Sequence, residues 1–215
     1  MIKIPNDIIE KAYIDLESYE KLDWKLGPQA INLLEPMIKW AGNYEKECAL
    51  EKLELPTSFE SEIEQKLFEL NNEDGSVRTT TYPFSRLYRT YSNWLRIFER
   101  NEESLRYMEK AFFYNPASIA TMKELLDRYH KMGDYRVYES VMRNFSHYVH
   151  KDRHLKMLYC ALAHYLYDFS GNKPAGKYAF GMYTGDNKVI SNAEYKEAFD
   201  KALDSLRIDL TIKKI

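Results

Sequence analysis

A chain of 215 residues, 45% hydrophobic and 30% charged, suits one extended domain or two small ones with a sizeable core. Its net charge of −2 and pI near 6.2 argue against the global basic field of a nucleic-acid binder. Cys48 and Cys160 are too few for a disulfide framework and read as reduced thiols.

The opening MIKIPNDIIE lacks the apolar run of a signal peptide. The most apolar stretch, residues 155–169, is interrupted by Lys156, His164 and Asp168, too polar to span a bilayer. A soluble, cytoplasmic protein with no membrane partner is the expectation.

Residues 1–70 are expected to form an irregular helical N-terminal region. Asn6 and Asp7 cap a first helix running to about Leu26, and Gly27-Pro28 starts a second over Gln29–Ala41, with a bend at Pro36. Gly42-Asn43 ends it, and a further helical pattern runs to about Leu55. Pro56-Thr57-Ser58 breaks the chain and supplies a cap for a helix bearing Ile63, Leu67, Phe68 and Leu70. Residues 71–83 read as a polar loop. Its acidic cluster lacks the alternating ligands of a calcium loop.

From Phe84 the pattern sharpens. At about 100° per residue, Leu87, Tyr88, Tyr91, Trp94, Leu95 and Phe98 share roughly a 120° arc, with Arg86, Arg89, Asn93, Arg96 and Arg100 opposite. Asn101 caps a partner helix, with Glu102 and Glu103 in its first turn and Leu105, Met108, Ala111 and Phe112 inward. Asn115-Pro116 stops it. A second pair carries Ile119, Met122, Leu125, Leu126 and Tyr129, then Gly133, then an Asp134 cap and Tyr138, Val141, Met142 and Phe145. A third runs from about Arg153 to Ser170 and from Lys173 to Tyr183, with Gly171 closing its first member, Asn172 capping its second and Pro174 in the first turn. Ser191 with Glu194 forms a capping box for a last helix bearing Tyr195, Ala198, Phe199, Ala202, Leu203 and Leu206.

This grammar resembles the tetratricopeptide repeat, whose period is 34 residues. Tyr88, Tyr91, Ser92 and Leu95 occupy the places of the family's tryptophan, leucine, glycine and tyrosine. Ser104, Met108, Ala111 and Pro116 fill those of its alanine, aromatic residue, second alanine and proline. The second unit keeps Leu125, Tyr129 and Gly133-Asp134-Tyr135 and departs at Leu126, Tyr138 and His150. The third keeps Leu162, Ala163 and Ala175, displaced by three extra residues. The resemblance implies an all-α fold: a right-handed α-α superhelix over residues 84–190, with residues 191–215 as C-terminal capping helix and tail.

It also implies that first helices line a concave groove. That would place Arg86, Arg89, Asn93 and Arg96 on one face with Lys123, Glu124, Asp127 and His130, then Cys160, Ala161 and His164. A non-enzymatic interaction module is expected, holding a protein or peptide segment, an acidic one where the arginine forks serve. The alternatives are a nucleic-acid-associated repeat protein, disfavoured by the charge, and a regulatory or dimerisation domain. Arg89 and Asn93 match the chaperone-tail clamp, but Glu124, Met157 and Ala161 stand where its other polar residues belong, so that ligand is disfavoured.

No cofactor, metal or catalytic set is expected. Gly171-Asn-Lys-Pro-Ala-Gly176-Lys177 fits the phosphate-loop spacing up to its lysine, but Tyr178 follows and the segment before it is helical. His147, His150 and His154 straddle a helix end and read as a hydrogen-bonded, partly exposed cluster. His164 reads as an interior or groove histidine.

Overall fold

The computed structural model describes residues 4–20, 27–72 and 77–214. They are almost wholly helical, and extended pairing among them is limited to one bridge between Thr57 and Thr79. None of the described helices is long and apolar enough to cross a membrane. The chain divides into two compact units, residues 1–121 and 122–215.

Unit 1 contains α1 (Asn6–Glu20), α2 (Gly27–Leu50), α3 (Glu62–Asn71), α4 (Phe84–Ile97) and α5 (Asn101–Tyr114). The expected end of the first helix at Leu26 lies outside the described residues. Helix α2 carries Pro36 within it, as expected, and corrects two expectations: it passes through Gly42-Asn43 without ending, and it stops at Leu50 rather than a separate helix reaching Leu55. Leu34, Ala41, Tyr44 and Cys48 form one continuous buried stripe along it. Burying such side chains contributes more than the roughly 1 kcal/mol that an internal glycine costs, so packing overrides the local stop signal. The turn comes where Lys52 adopts φ 54° and the Leu53 amide donates to Cys48 O at 2.8 Å.

Aromatic rings join α2 to the hairpin that follows. Trp40 meets Tyr82 at 4.6 Å between centroids, Tyr82 meets Phe84 at 4.5 Å, and Phe84 stacks on Tyr114 at 4.5 Å. Glu45 ties the same elements by polar contacts. Its carboxylate accepts from Tyr88 Oη at 2.5 Å, Tyr114 Oη at 3.2 Å and Lys110 Nζ at 2.5 Å.

Helices α4 and α5 cross where the small residues stand. Ser92 Oγ donates to Ser104 O and Ser104 Oγ to Ser92 O, both at 2.6 Å, and both side chains are fully buried. Two caps differ from expectation. Ser61, not Ser58, accepts the α3 amide of Glu64, while Ser58 is buried and bonds Tyr82 O. Asn101 is already helical, and Arg100 precedes it, paired with Glu103 at 2.8 Å.

Helix α6 (Ile119–Met132) begins before the division and runs into unit 2, followed by α7 (Tyr135–His147), α8 (Asp152–His164), α9 (Lys173–Thr184), a short α10 (Asn187–Ile190) and α11 (Ala193–Leu206). Gly133, the Asp134 cap, the Asn172 cap and Pro174 fall where the sequence places them. Tyr138, Val141, Met142 and Phe145 are all buried.

The third hairpin departs from regularity: α8 stops at His164 and Tyr165–Phe169 continue as a π-helical segment, with the Ser170 amide donating to Tyr165 O. Gly176 is where α9 passes this segment, since a Cβ there would lie 2.9 Å from both the amide nitrogen and Cβ of Tyr167. The second glycine of the apparent phosphate-loop spacing therefore serves helix packing. Asn192, not Ser191, caps α11, and Ser191 Oγ turns back to Lys188 O because α10 occupies the residues before it.

Candidate functional site

The arginine face of α4 is largely met by its own unit. Arg89 Nη2 reaches Glu60 Oε2 at 2.6 Å, and Ser85 Oγ lies 3.4 Å from the other oxygen of that carboxylate. Helix α1 packs against α4. Tyr13 of α1 records the contact: burial raises its phenol pKa, with Arg86 pulling down and Glu60 pushing up. Arg86 and Asn93 are half-buried, Arg96 is exposed, and each has an interaction of its own. The sequence finds the stripe but misses Glu60, which sits in a non-helical segment 29 residues from Arg89.

Unit 2 gathers the other predicted residues. Lys123, Leu126 and Asp127 of α6 and Met157, Cys160, Ala161 and His164 of α8 line one concavity of about 130 Å³. Burial raises the Cys160 thiol pKa, Asp127 raises it further and Lys123 opposes them, so the thiol form is favoured. Such a cysteine is a poor nucleophile. Tyr138 Oη at the floor donates to Ala161 O at 3.0 Å.

Of the two settings expected for His164, interior or groove, the structure has the second: it is exposed and stands on a ridge shared by that concavity and a larger cleft. The cleft holds about 580 Å³ and is lined by Ala163, Tyr167, Gly176, Phe180, Val189 and Tyr195, with Asp168 and Lys177 at its polar positions. Its volume lies in the range of ligand-binding clefts.

On the ridge, His130 Nε2 lies 3.0 Å and His164 Nδ1 3.4 Å from the same oxygen, Asp168 Oδ2. The two imidazole centroids are 4.4 Å apart. Tyr138 and Phe169 flank the His130 ring, at 6.1 and 5.5 Å between centroids. The hydrogen bond from His130 holds the Asp168 carboxyl below the usual carboxylate range, with His164 adding to it and residual burial opposing. The i, i+4 spacing of His164 and Asp168 is visible in the sequence; their meeting with His130 is not.

The other histidines do not assemble into such a group. His150 and His154 meet edge to face at 4.4 Å, and Arg153 Nε donates to His154 Nε2 at 3.2 Å, where a cation would be repelled. His154 is buried rather than partly exposed, and its Nδ1 has no hydrogen-bond partner among the described residues. Burial, then His150, Arg153 and Lys151, lower its pKa to about 4. His147 is exposed.

Comparison with known protein families, curated proteins and solved structures finds no match to this chain.

Proposed function

We propose that the chain is a non-enzymatic interaction module of the tetratricopeptide type, its helix pairs stacking as a right-handed superhelix. It holds a segment of another protein. The observation that carries this reading is the concavity of unit 2, where the polar faces of two successive first helices, α6 and α8, meet around Lys123, Asp127, Cys160 and His164. The family resemblance puts the ligand groove on those faces, and the neighbouring cleft, with exposed Tyr167 and Phe180, offers a seat for an apolar side chain of the bound segment.

The engaged state of Arg89 moves the weight of the reading from α4 to α6 and α8. The charges there are mixed, Lys123 beside Asp127, so an extended peptide of mixed charge fits better than an acidic tail.

Affinity capture from the native lysate tests this. The full chain is compared with a Lys123→Glu/Asp127→Lys double variant and with Phe180→Asp, the three substituted positions all being exposed. Partners retained by the parent chain are expected to be lost with both variants while helicity stays constant. Equal capture by all three would refute the assignment.

A further inference from the structure

We propose that His130 Nε2, His164 Nδ1 and the Asp168 carboxylate bind a divalent transition-metal ion of borderline softness, for which Zn²⁺ is the probe. This goes beyond the interaction role and does not rest on it. The donor set is two imidazoles and one carboxylate, which suits zinc, cobalt or nickel and is ill-suited to the hard, oxygen-seeking calcium and magnesium.

The distances fit a common ion. Donors held at about 2.0–2.1 Å from one zinc ion sit about 3.3 Å from one another in a tetrahedral shell. His130 to Asp168 is 3.0 Å and His164 to Asp168 is 3.4 Å, and all three donor atoms lie within 4.8 Å of one another. The two imidazole donors are the pair left to draw closer on binding, and His164 is exposed, so its ring has room to adjust.

The supports are regular elements rather than loops. His130 comes from α6, His164 closes α8, and Asp168 lies in the π-helical segment. π turns inside helices recur at functional sites. Here the segment is fixed from behind by the close approach of Gly176 to Tyr167. Tyr138 and Phe169 pack on the His130 ring and give the site an apolar backing that limits solvent access from that side. Three protein donors leave coordination positions open to the solvent side, where water or a group from a bound segment can complete the shell.

The experiment titrates the full, tag-free, chelator-stripped chain with Zn²⁺ by calorimetry and with Co²⁺ by visible absorption. One ion per chain is expected, with Co²⁺ giving ligand-field bands of low coordination number. His130→Ala, His164→Ala and Asp168→Ala should each weaken binding at least about tenfold. His147→Ala, an exposed histidine outside the group, should leave it unchanged. In the parent chain, Zn²⁺ should shift the ring resonances of His130 and His164 together and leave those of His147 in place, a reading that needs no variant to fold. Binding that survives all three substitutions, or the absence of saturable binding, would overturn the site and leave a hydrogen-bonded ion pair.

Discussion

Helix α4 in unit 1 and helix α8 in unit 2 follow one rule: each buries an apolar arc and turns polar side chains the other way. What meets those polar side chains differs. On α4, Glu60 takes Arg89, and α1 brings Tyr13 beside Arg86, so much of the face is a joint within the unit. On α8 and its π extension, Cys160, His164 and Asp168 look onto a concavity and a cleft, and their nearest polar company is Asp127 and His130 of α6. A one-sided polar stripe is therefore not yet a binding face. The same pattern makes an internal seal where another segment of the chain covers the paired groups, and a candidate site where the paired groups stay open to solvent.

The contrast is broken most forcefully at Glu45, which closes unit 1 from the α2 side. Truncation to Ala leaves the buried hydroxyls of Tyr88 and Tyr114 without their acceptor. Burial first, then Glu45, pushes the Tyr88 phenol far above its ordinary range, so it cannot ionise to compensate. Glu45→Ala is expected to lower the unfolding free energy by about 2–4 kcal/mol in urea titration, with Glu45→Gln costing less. A loss below about 1 kcal/mol would show that the aromatic packing alone closes the unit.

Unit 2 has a buried histidine of its own, and pH reads it. His154 is neutral in the folded chain, with a pKa of about 4 against an ordinary 6.5. Below 6.5 the unfolded chain takes up a proton that the folded chain refuses. Stability is therefore full above that value and falls as pH drops toward 4. Allowing for screening of the surrounding charges, the loss is roughly 1–2 kcal/mol. Urea midpoints at pH 7 and pH 5 for the parent and His154→Gln measure it, and the variant should lose most of the dependence. Subtraction also removes Glu64, whose burial-raised pKa acts in the opposite sense. An unchanged dependence in the variant would place the titration elsewhere.

How much could be read in advance follows from sequence separation. The α4 arc, the Gly133-Asp134 turn and the Gly171-Asn172-Pro174 junction are set by neighbours within a turn or two, and the chain shows them plainly. Gly42-Asn43 misleads because its stop signal is local while the stripe from Leu34 to Cys48 that overrides it gains its energy from tertiary burial. Ser191 and Asn192 are both good caps, and only the unforeseen α10 decides between them. The site lies at the far end of this scale. His130 and Asp168 are 38 residues apart, and no periodicity in one helix announces a partner in another.

The smallest effect bears most directly on the contrast. Arg89 and Glu60 have side chains 23% and 24% exposed, between the worth of a surface pair and that of a buried one. A double-mutant cycle with Arg89→Ala and Glu60→Ala is expected to give a coupling of about 1 kcal/mol, declining with salt. Because the cycle cancels whatever each side chain does alone, it isolates the seal itself. A coupling near zero would mean that the guanidinium is held only loosely and can be given up to an incoming carboxylate. The α4 stripe would then regain equal standing with α6 and α8 as a binding face. A coupling of the expected size makes any acidic ligand there compete with Glu60, and leaves the open face of unit 2 as the better seat.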